Sequence, residues 1–317
     1  MKRFKHLYGP VPSRRLGRSL GVDLVPHKVC TYDCVYCQIG KTTEETLLRK
    51  EYVPEGEILE ELRIFFQEGA SKVDYISLGG SGEPTLHSKI GSIIRSVKKL
   101  TTLPVAVITN GALLWLEEVR NDLLEADVVL PSLDAISQEV FSRINRPCFG
   151  ISIEKVIEGL VQFREVYQGQ IWLEILFCKG INDHPEELRK MKEAIERIRP
   201  DRVHLNTVVR PPSEGWVLPL TEQEMEAIRQ FFGEKASVIS DFNLHVQGAS
   251  SQALAETILS ILRRRPLSLT DLSMRMGLAE EEIDGALASL LKEGLIQRRI
   301  FGETVYYEEA VKKSTPS

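Results

Sequence analysis

An α/β fold on a parallel sheet, followed by a small helical module, is what this sequence predicts. Three observations predict it. Strand-like and helix-like runs alternate about six times between residues 19 and 208, the order that joins parallel strands through right-handed crossovers. Glycines and polar residues collect just after these strands: Gly82-Glu83, Thr109-Asn110-Gly111, Asp134, Asn182-Asp183 and Arg210. In a barrel or open α/β sheet that edge binds ligands. After residue 245 the rhythm changes to helices ending in a hairpin-like tail.

In chain order, the segment through Arg18 is rich in Pro, Gly and Arg and lacks periodicity. Its Gly9-Pro10-Val11-Pro12-Ser13-Arg14-Arg15 reads as an ordered loop or turn. Two fates are open to its arginines: a solvated basic arm, or guanidinium forks that hold a carboxylate or phosphate. Residues 19–25 read as a short strand. Residues 55–68 set Ile58, Leu59, Leu62, Ile64, Phe65 and Phe66 among acidic positions, an amphipathic helix. A strand over 73–78 runs into Gly79-Gly80-Ser81-Gly82-Glu83-Pro84-Thr85, and a helix over 87–100 leads to a strand over 104–109. A helix over 113–125 precedes a strand over 127–133, and a helix over 153–167 precedes a strand over 170–177. Leu188, Met191, Ala194, Ile195 and Ile198 share one face of a helix over 185–198. The strand over 202–208 stops at Arg210-Pro211-Pro212.

Gln247-Gly248-Ala249-Ser250-Ser251 reads as a linker. Helices over 252–264, 269–276 and 279–293 follow, then two short strands turning at Gly302-Glu303. That is the order of a winged helix-turn-helix module. The division predicted is an α/β domain over 1–245, a linker over 246–251, the module over 252–311 and a tail over 312–317.

The 317 residues are 43% hydrophobic and 27% charged, an ordinary globular composition with enough apolar residues for a core. A net charge of −5 gives no global drive toward nucleic acid or anionic membrane, although residues 2–28 hold seven Lys and Arg against Asp23. No apolar run approaches the roughly 20 residues of a membrane span, and the basic start is followed by no apolar signal segment. Of five cysteines, three cluster, which argues for metal or catalytic use in a reducing compartment. A cytoplasmic protein without membrane partners is expected.

Those three form Cys30-Thr-Tyr-Asp-Cys34-Val-Tyr-Cys37, spaced C-x3-C-x2-C. Thiolates this close bind a soft or borderline metal, with zinc and iron-sulfur clusters the leading options. For zinc, His27 would complete a Cys3His site with Cys30, Cys34 and Cys37. For a [4Fe-4S] cube, three cysteines leave one iron without a protein ligand, an opening for a small molecule. Cys148 and Cys178 are most simply buried apolar thiols. Asp183 reads as a helix cap.

The cysteine loop, with Tyr36 directly before its last cysteine, resembles the radical S-adenosylmethionine (SAM) signature. Gly80-Ser81-Gly82-Glu83-Pro84 is similar to that superfamily's Gly-Gly-Glu segment. The segments 107–111, 132–135 and 173–174 with Asn182-Asp183 resemble the ends of its later strands. The resemblance spans about residues 7–215. It implies a partial (β/α)6 TIM-like barrel in which Cys30, Cys34 and Cys37 ligate three irons of a [4Fe-4S] cluster and SAM chelates the fourth. It further implies that Gly82 and Glu83 meet the SAM amino group, the glycine by leaving room for close approach. Thr109, Asn110, Ser132 and Asp134 become candidates for the SAM carboxylate or ribose, and Asn206 for adenine or ribose. The implied chemistry is reductive cleavage of SAM to methionine and a 5′-deoxyadenosyl radical that abstracts hydrogen from the substrate, with flavodoxin or ferredoxin as electron donor.

Within the superfamily, Gly9 to Arg15, Gly82-Glu83-Pro84-Thr85-Leu86, Asn206-Thr207 and Arg210-Pro211-Pro212 resemble the group related to wyosine-base synthases, which modify a guanine in transfer RNA. Cysteines before Cys30, expected for a second cluster in those synthases, are absent. RNA or a peptide or protein is the implied substrate. The second hypothesis is a winged-helix transcription regulator that senses through iron-sulfur or zinc. Against it, the helix that would enter a major groove carries Glu280, Glu281, Glu282 and Asp284, which phosphates repel. DNA is therefore not the expected partner.

Overall fold

The structure is a computed structural model that describes residues 4–13, 15–68, 72–239, 251–262, 266–276 and 278–310. The chain divides into two compact units, Met1–Ser240 and Asp241–Ser317.

A hairpin opens the first unit. Strand β1 (Leu7–Ser13) runs antiparallel to β2 (Gly17–Val22), with an irregular register between Tyr8 and Val11. The expectation of a loop here is corrected. Gly9-Pro10 and the register shift interrupt the alternation by which a strand is read. Short strands β3 (Val29–Cys30) and β4 (Glu44–Glu45) then pair in parallel on either side of the cysteine loop.

Strand and helix alternate from there: α1 (Glu55–Gln67), β5 (Tyr75–Leu78), a 3-10 turn at Pro84–Leu86, α2 (Ile90–Leu100), β6 (Val105–Thr109), α3 (Glu117–Leu123), β7 (Val128–Pro131), α4 (Gln138–Ile144), α5 (Ile153–Val166), β8 (Gln170–Phe177), α6 (Pro185–Ile198), β9 (Arg202–Thr207), α7 (Glu222–Phe232) and β10 (Ala236–Val238). The main sheet has the order β1-β2-β5-β6-β7-β8-β9-β10. Every pairing after the hairpin is parallel. The sheet is open, with β1 and β10 at its edges. The sequence placed no element over 213–245, where Pro211, Pro212, Gly215 and Pro219 punctuate the chain. There α7 is started by a capping box in which Thr221 and Glu224 satisfy each other's backbone N–H groups.

Alternation along the strands builds two apolar layers. Ile175, Phe177, Val203 and Leu205 meet Met191 of α6 and Met225 and Ile228 of α7 on the helix-covered face. On the opposite face Ala106, Val128, Leu130 and Trp172 close around Leu16, which the β1–β2 turn delivers. Arg15, beside Leu16, pairs with Glu174 of β8. The basic segment thus uses Arg15 to hold a carboxylate, and the carboxylate is the protein's own. Arg14 lies outside the described residues.

The second unit holds α8 (Ser251–Leu262), β11 (Leu267–Ser268), α9 (Leu269–Met276), α10 (Glu280–Lys292), β12 (Ile296–Phe301) and β13 (Thr304–Glu309), with a three-stranded sheet in the order β11-β13-β12. Leu254, Ile258, Leu272, Ile283, Leu287 and Leu290 are buried as its core. Gly302 turns the hairpin at φ 61°, a left-handed conformation that glycine adopts without a Cβ clash. Glu280, Glu281, Glu282 and Asp284 are exposed on α10. Most of the expected linker and the Arg263-Arg264-Arg265 run lie outside the described residues, as does the tail over 312–317. No helix among the described residues is long and apolar enough to cross a membrane.

Candidate active site

The strand ends and the cysteine loop are bolted together by buried polar side chains. Glu83, at the exit of β5, is 2% exposed. Its Oε1 accepts the Thr85 N–H (3.0 Å), the Thr85 hydroxyl (2.5 Å) and the Thr109 hydroxyl (2.6 Å), and its Oε2 accepts the Asn110 N–H (2.7 Å). Burial raises the Glu83 carboxyl above its ordinary value, while these donors pull the other way. One carboxylate therefore ties β5 to β6 and caps the turn at Pro84. Gly82 has a reason within the fold for being glycine. A Cβ on it would lie 2.1 Å from the Val29 carbonyl oxygen, so its bareness lets the β5 exit pack on the root of the cysteine loop. Two backbone bonds fix that contact, Glu83 N–H to Val29 O at 3.1 Å and Lys28 N–H to Ser81 O at 2.6 Å.

Asp134, after β7, is the second bolt. Its Oδ2 accepts the Tyr36 hydroxyl (2.5 Å) and Asn145 Nδ2 (2.8 Å), and its Oδ1 accepts the Leu176 N–H (2.8 Å). The aromatic residue of the cysteine loop is thereby held to β8 and to the end of α4. Burial raises Asp134 above the usual aspartate value. Asn182 is buried beneath and donates to the carbonyls of Asp134 and Leu176, both at 2.8 Å. Asp183 caps no helix. Its carboxylate takes the Gly180 N–H at 2.8 Å inside a turn, and α6 starts at His184 without a side-chain cap. Around the outside, the Ser213 hydroxyl donates to the carbonyls of Cys34 (3.0 Å) and Val35 (2.9 Å), and Arg210 Nη1 lies 3.3 Å from Gln38 Oε1.

Each sulfur of the loop meets a side-chain nitrogen donor. Asn110 Nδ2 lies 3.6 Å from Cys30 Sγ and also donates to Thr31 Oγ1 at 2.7 Å. Asn145 Nδ2 lies 3.5 Å from Cys34 Sγ, and Lys28 Nζ lies 3.1 Å from Cys37 Sγ. These neighbours stabilise thiolates, but burial works against them. It pushes the Cys30 thiol up to about 12, with the Glu83 charge adding to it, and drives Cys34 well above its ordinary value. A cationic iron centre supplies the charge that makes such thiolates stable. The Tyr32 hydroxyl is buried without a partner in the same loop. Three thiols with nitrogen donors at their sulfurs fit a cluster. His27 is exposed.

Of the SAM candidates, Glu83, Thr109, Asn110 and Asp134 thus spend their polar atoms on one another and on the loop. A carboxylate offers about four lone-pair sites, and the one that Glu83 keeps is on Oε2. Ser132 and Asn206 remain partly exposed at the ends of β7 and β9, with Asn206 Nδ2 3.4 Å from Glu174 Oε1. Sequence reasoning missed Lys28, Thr31, Asn145 and Glu174 as site residues. Lys28 looked like one more member of a basic run, and Asn145 lies in no motif. Cys178 is buried as expected, whereas Cys148 is only partly so.

The pattern of the radical SAM superfamily matches residues 24–199, from the lead-in to the cysteine loop through α6. The chain belongs to the radical SAM superfamily. It is an enzyme superfamily, and the cofactors of this radical SAM protein are a [4Fe-4S] cluster and SAM, with members known to bind both. A UPF0026 protein of Methanocaldococcus jannaschii is 30% identical over 311 residues, 96% of either chain. A Brachyspira hyodysenteriae protein named GTPase Obg is 36% identical over 306 residues, 96% of this chain. The radical SAM chain spans only 45% of that relative's length. In structure it is similar to a radical SAM methyltransferase from Sphaerobacter thermophilus, with a TM-score of 0.53 and 16% identity over 69% of this chain and 65% of that one. At that identity the likeness establishes the fold.

Glu174, Asn206 and the buried His204 share the inner face of β8 and β9. Burial lowers His204 to about 4, the Glu174 charge opposing and Arg15 and Arg202 assisting the shift. A histidine depressed in the folded state stabilises it above the unfolded value of 6.5, and that contribution is lost as pH falls toward the folded value. Wild-type protein is expected to lose up to about 3 kcal/mol between those limits. His204→Phe is expected to flatten that stretch of the profile, as urea denaturation at a series of pH values will show.

Proposed function

We propose that this radical SAM enzyme holds its cluster through Cys30, Cys34 and Cys37 and binds SAM against the strand ends. Gly82, Glu83 Oε2, Ser132 and Asn206 are the positions at which we place SAM. Thr109, Asn110 and Asp134 act on it through the framework they brace. The observation that carries the reading is the loop itself: three thiols mounted over the strand ends, each against a nitrogen donor. The reduced cluster supplies the one-electron cleavage of SAM that leads to hydrogen abstraction from substrate. The protein's residues orient the loop, exclude water and leave one coordination position to the cofactor. A flavodoxin- or ferredoxin-type donor is the proposed source of the electron, and an RNA base or a peptide or protein is the proposed substrate. The RNA class fits a group related to wyosine-base synthases.

The second unit is proposed to be a winged helix-turn-helix module that docks the substrate. Its helix and strand order supports this, and the exposed acidic start of α10 turns the proposal away from DNA. A first test is anaerobic reconstitution. About four irons per chain, broad visible absorbance and release of 5′-deoxyadenosine under dithionite are expected. Zinc by metal analysis, with no cluster absorbance, would sink the proposal. Capture of RNA or of protein by the full-length chain, compared with residues 1–245, then tells the two substrate classes apart.

A further inference from the structure

We infer that Lys28 is a positioning residue for the cluster: its buried ammonium, 3.1 Å from Cys37 Sγ, stabilises the reduced cluster and raises its reduction potential. The inference rests on the three cysteines holding the cluster. Two observations on Lys28 carry it. The residue is 2% exposed, and among the described residues no carboxylate pairs with it. The group its ammonium meets is the Cys37 sulfur, which is anionic when it ligates iron. An ammonium is costly to bury without a partner, and the ligating sulfur is that partner. Lys28 also stands in the left-handed backbone region at φ 60°, which costs a non-glycine residue about 1–2 kcal/mol. That conformation lets its N–H reach Ser81 O at 2.6 Å while its carbonyl accepts the Thr43 N–H at 3.0 Å. Glycine would serve the backbone better. A lysine here adds only its charge.

That charge has a direction of effect. One electron from an external low-potential reductant takes the cluster to a state with one more negative charge. No bond changes at Lys28, which keeps its proton. Hydrogen bonds and positive charge at the cysteine sulfurs favour the more negative state. Asn110 and Asn145 act in the same sense on Cys30 and Cys34 as neutral donors, and a charged donor is roughly twice as strong.

The test is an EPR-monitored redox titration of anaerobically reconstituted full-length protein, with iron content matched between variants. Lys28→Gly suits the left-handed backbone while deleting the ammonium. It is expected to lower the reduced fraction at a fixed potential about tenfold, a shift of about 59 mV for one electron. Lys28→Arg is expected to keep most of the wild-type value, and Lys28→Met to follow the glycine variant. Unchanged midpoint potentials in loaded Lys28→Gly and Lys28→Met overturn the inference. So does failure of both variants to load a cluster while wild type and Lys28→Arg load it, since Lys28 then serves assembly and not potential. Wild-type protein that loads no cluster removes the ligand assignment itself, a separate result.

Discussion

Cys34→Ala is expected to abolish both the cluster and SAM cleavage, with 5′-deoxyadenosine production under dithionite falling at least about 100-fold. The size follows from the count of ligands. On the proposed assignment three cysteines hold the cluster and the fourth position belongs to SAM. Cys178 is fully buried, and Cys148 borders the loop, its N–H meeting the Thr31 carbonyl at 2.9 Å. The fold should survive the substitution. The loop's backbone contacts at residue 34, to the Ser213 hydroxyl and the Cys37 N–H, use the Cys34 carbonyl, which alanine keeps. Asn145 loses one sulfur contact but still donates to Asp134. Iron and sulfide analysis, EPR of the reduced protein and the thermal transition of the apo-protein separate lost chemistry from lost structure. A Cys34→Ala protein with native melting and undiminished cleavage refutes the ligand assignment.

The sequence exposed the cysteine loop, most of the strand ends and the overall rhythm. Short-range signals carry those features: thiol spacing, a glycine after a strand, apolar residues at helical intervals. The strand over 170–177 and the helix over 185–198 match β8 and α6 for that reason. What stayed hidden is the pairing. Glu83 meets Thr109 and Asn110 more than twenty residues on, and Asp134 meets Tyr36 across about a hundred. A polar residue after a strand has the same appearance whether it faces a ligand or braces a neighbour, and only the fold decides. Strand β1 was masked by Gly9-Pro10 and its irregular register. Lys28 was hidden among the other lysines and arginines of residues 2–28. Its left-handed backbone and its burial are invisible in composition.

Glu83 gives the sharpest test of the bracing role. Glu83→Gln is expected to destabilise the apo-protein by about 2–4 kcal/mol, because the amide retains one acceptor oxygen where the carboxylate has two. If that oxygen takes the Oε1 place, the NH2 group faces the Asn110 N–H and two buried donors confront each other. With the opposite orientation, the NH2 group meets the three donors from Thr85 and Thr109. Hydroxyls can rotate away, but the backbone N–H groups of Thr85 and Asn110 cannot. Glu83→Ala removes the acceptor for all four donors and is expected to cost more. For a unit of this size the glutamine variant should melt roughly 5–10 °C below wild type. The loss should reach the cluster as well, since the residue anchored by Oε2 is Asn110, whose side chain bridges Thr31 and Cys30. Lower iron occupancy at equal protein, together with the lower melting point, is the expected pair of results. A carboxylate serving SAM alone gives the opposite pattern: apo-protein that melts as wild type does and loads its irons normally, with only SAM affinity reduced. That outcome would move Glu83 from the framework to the ligand.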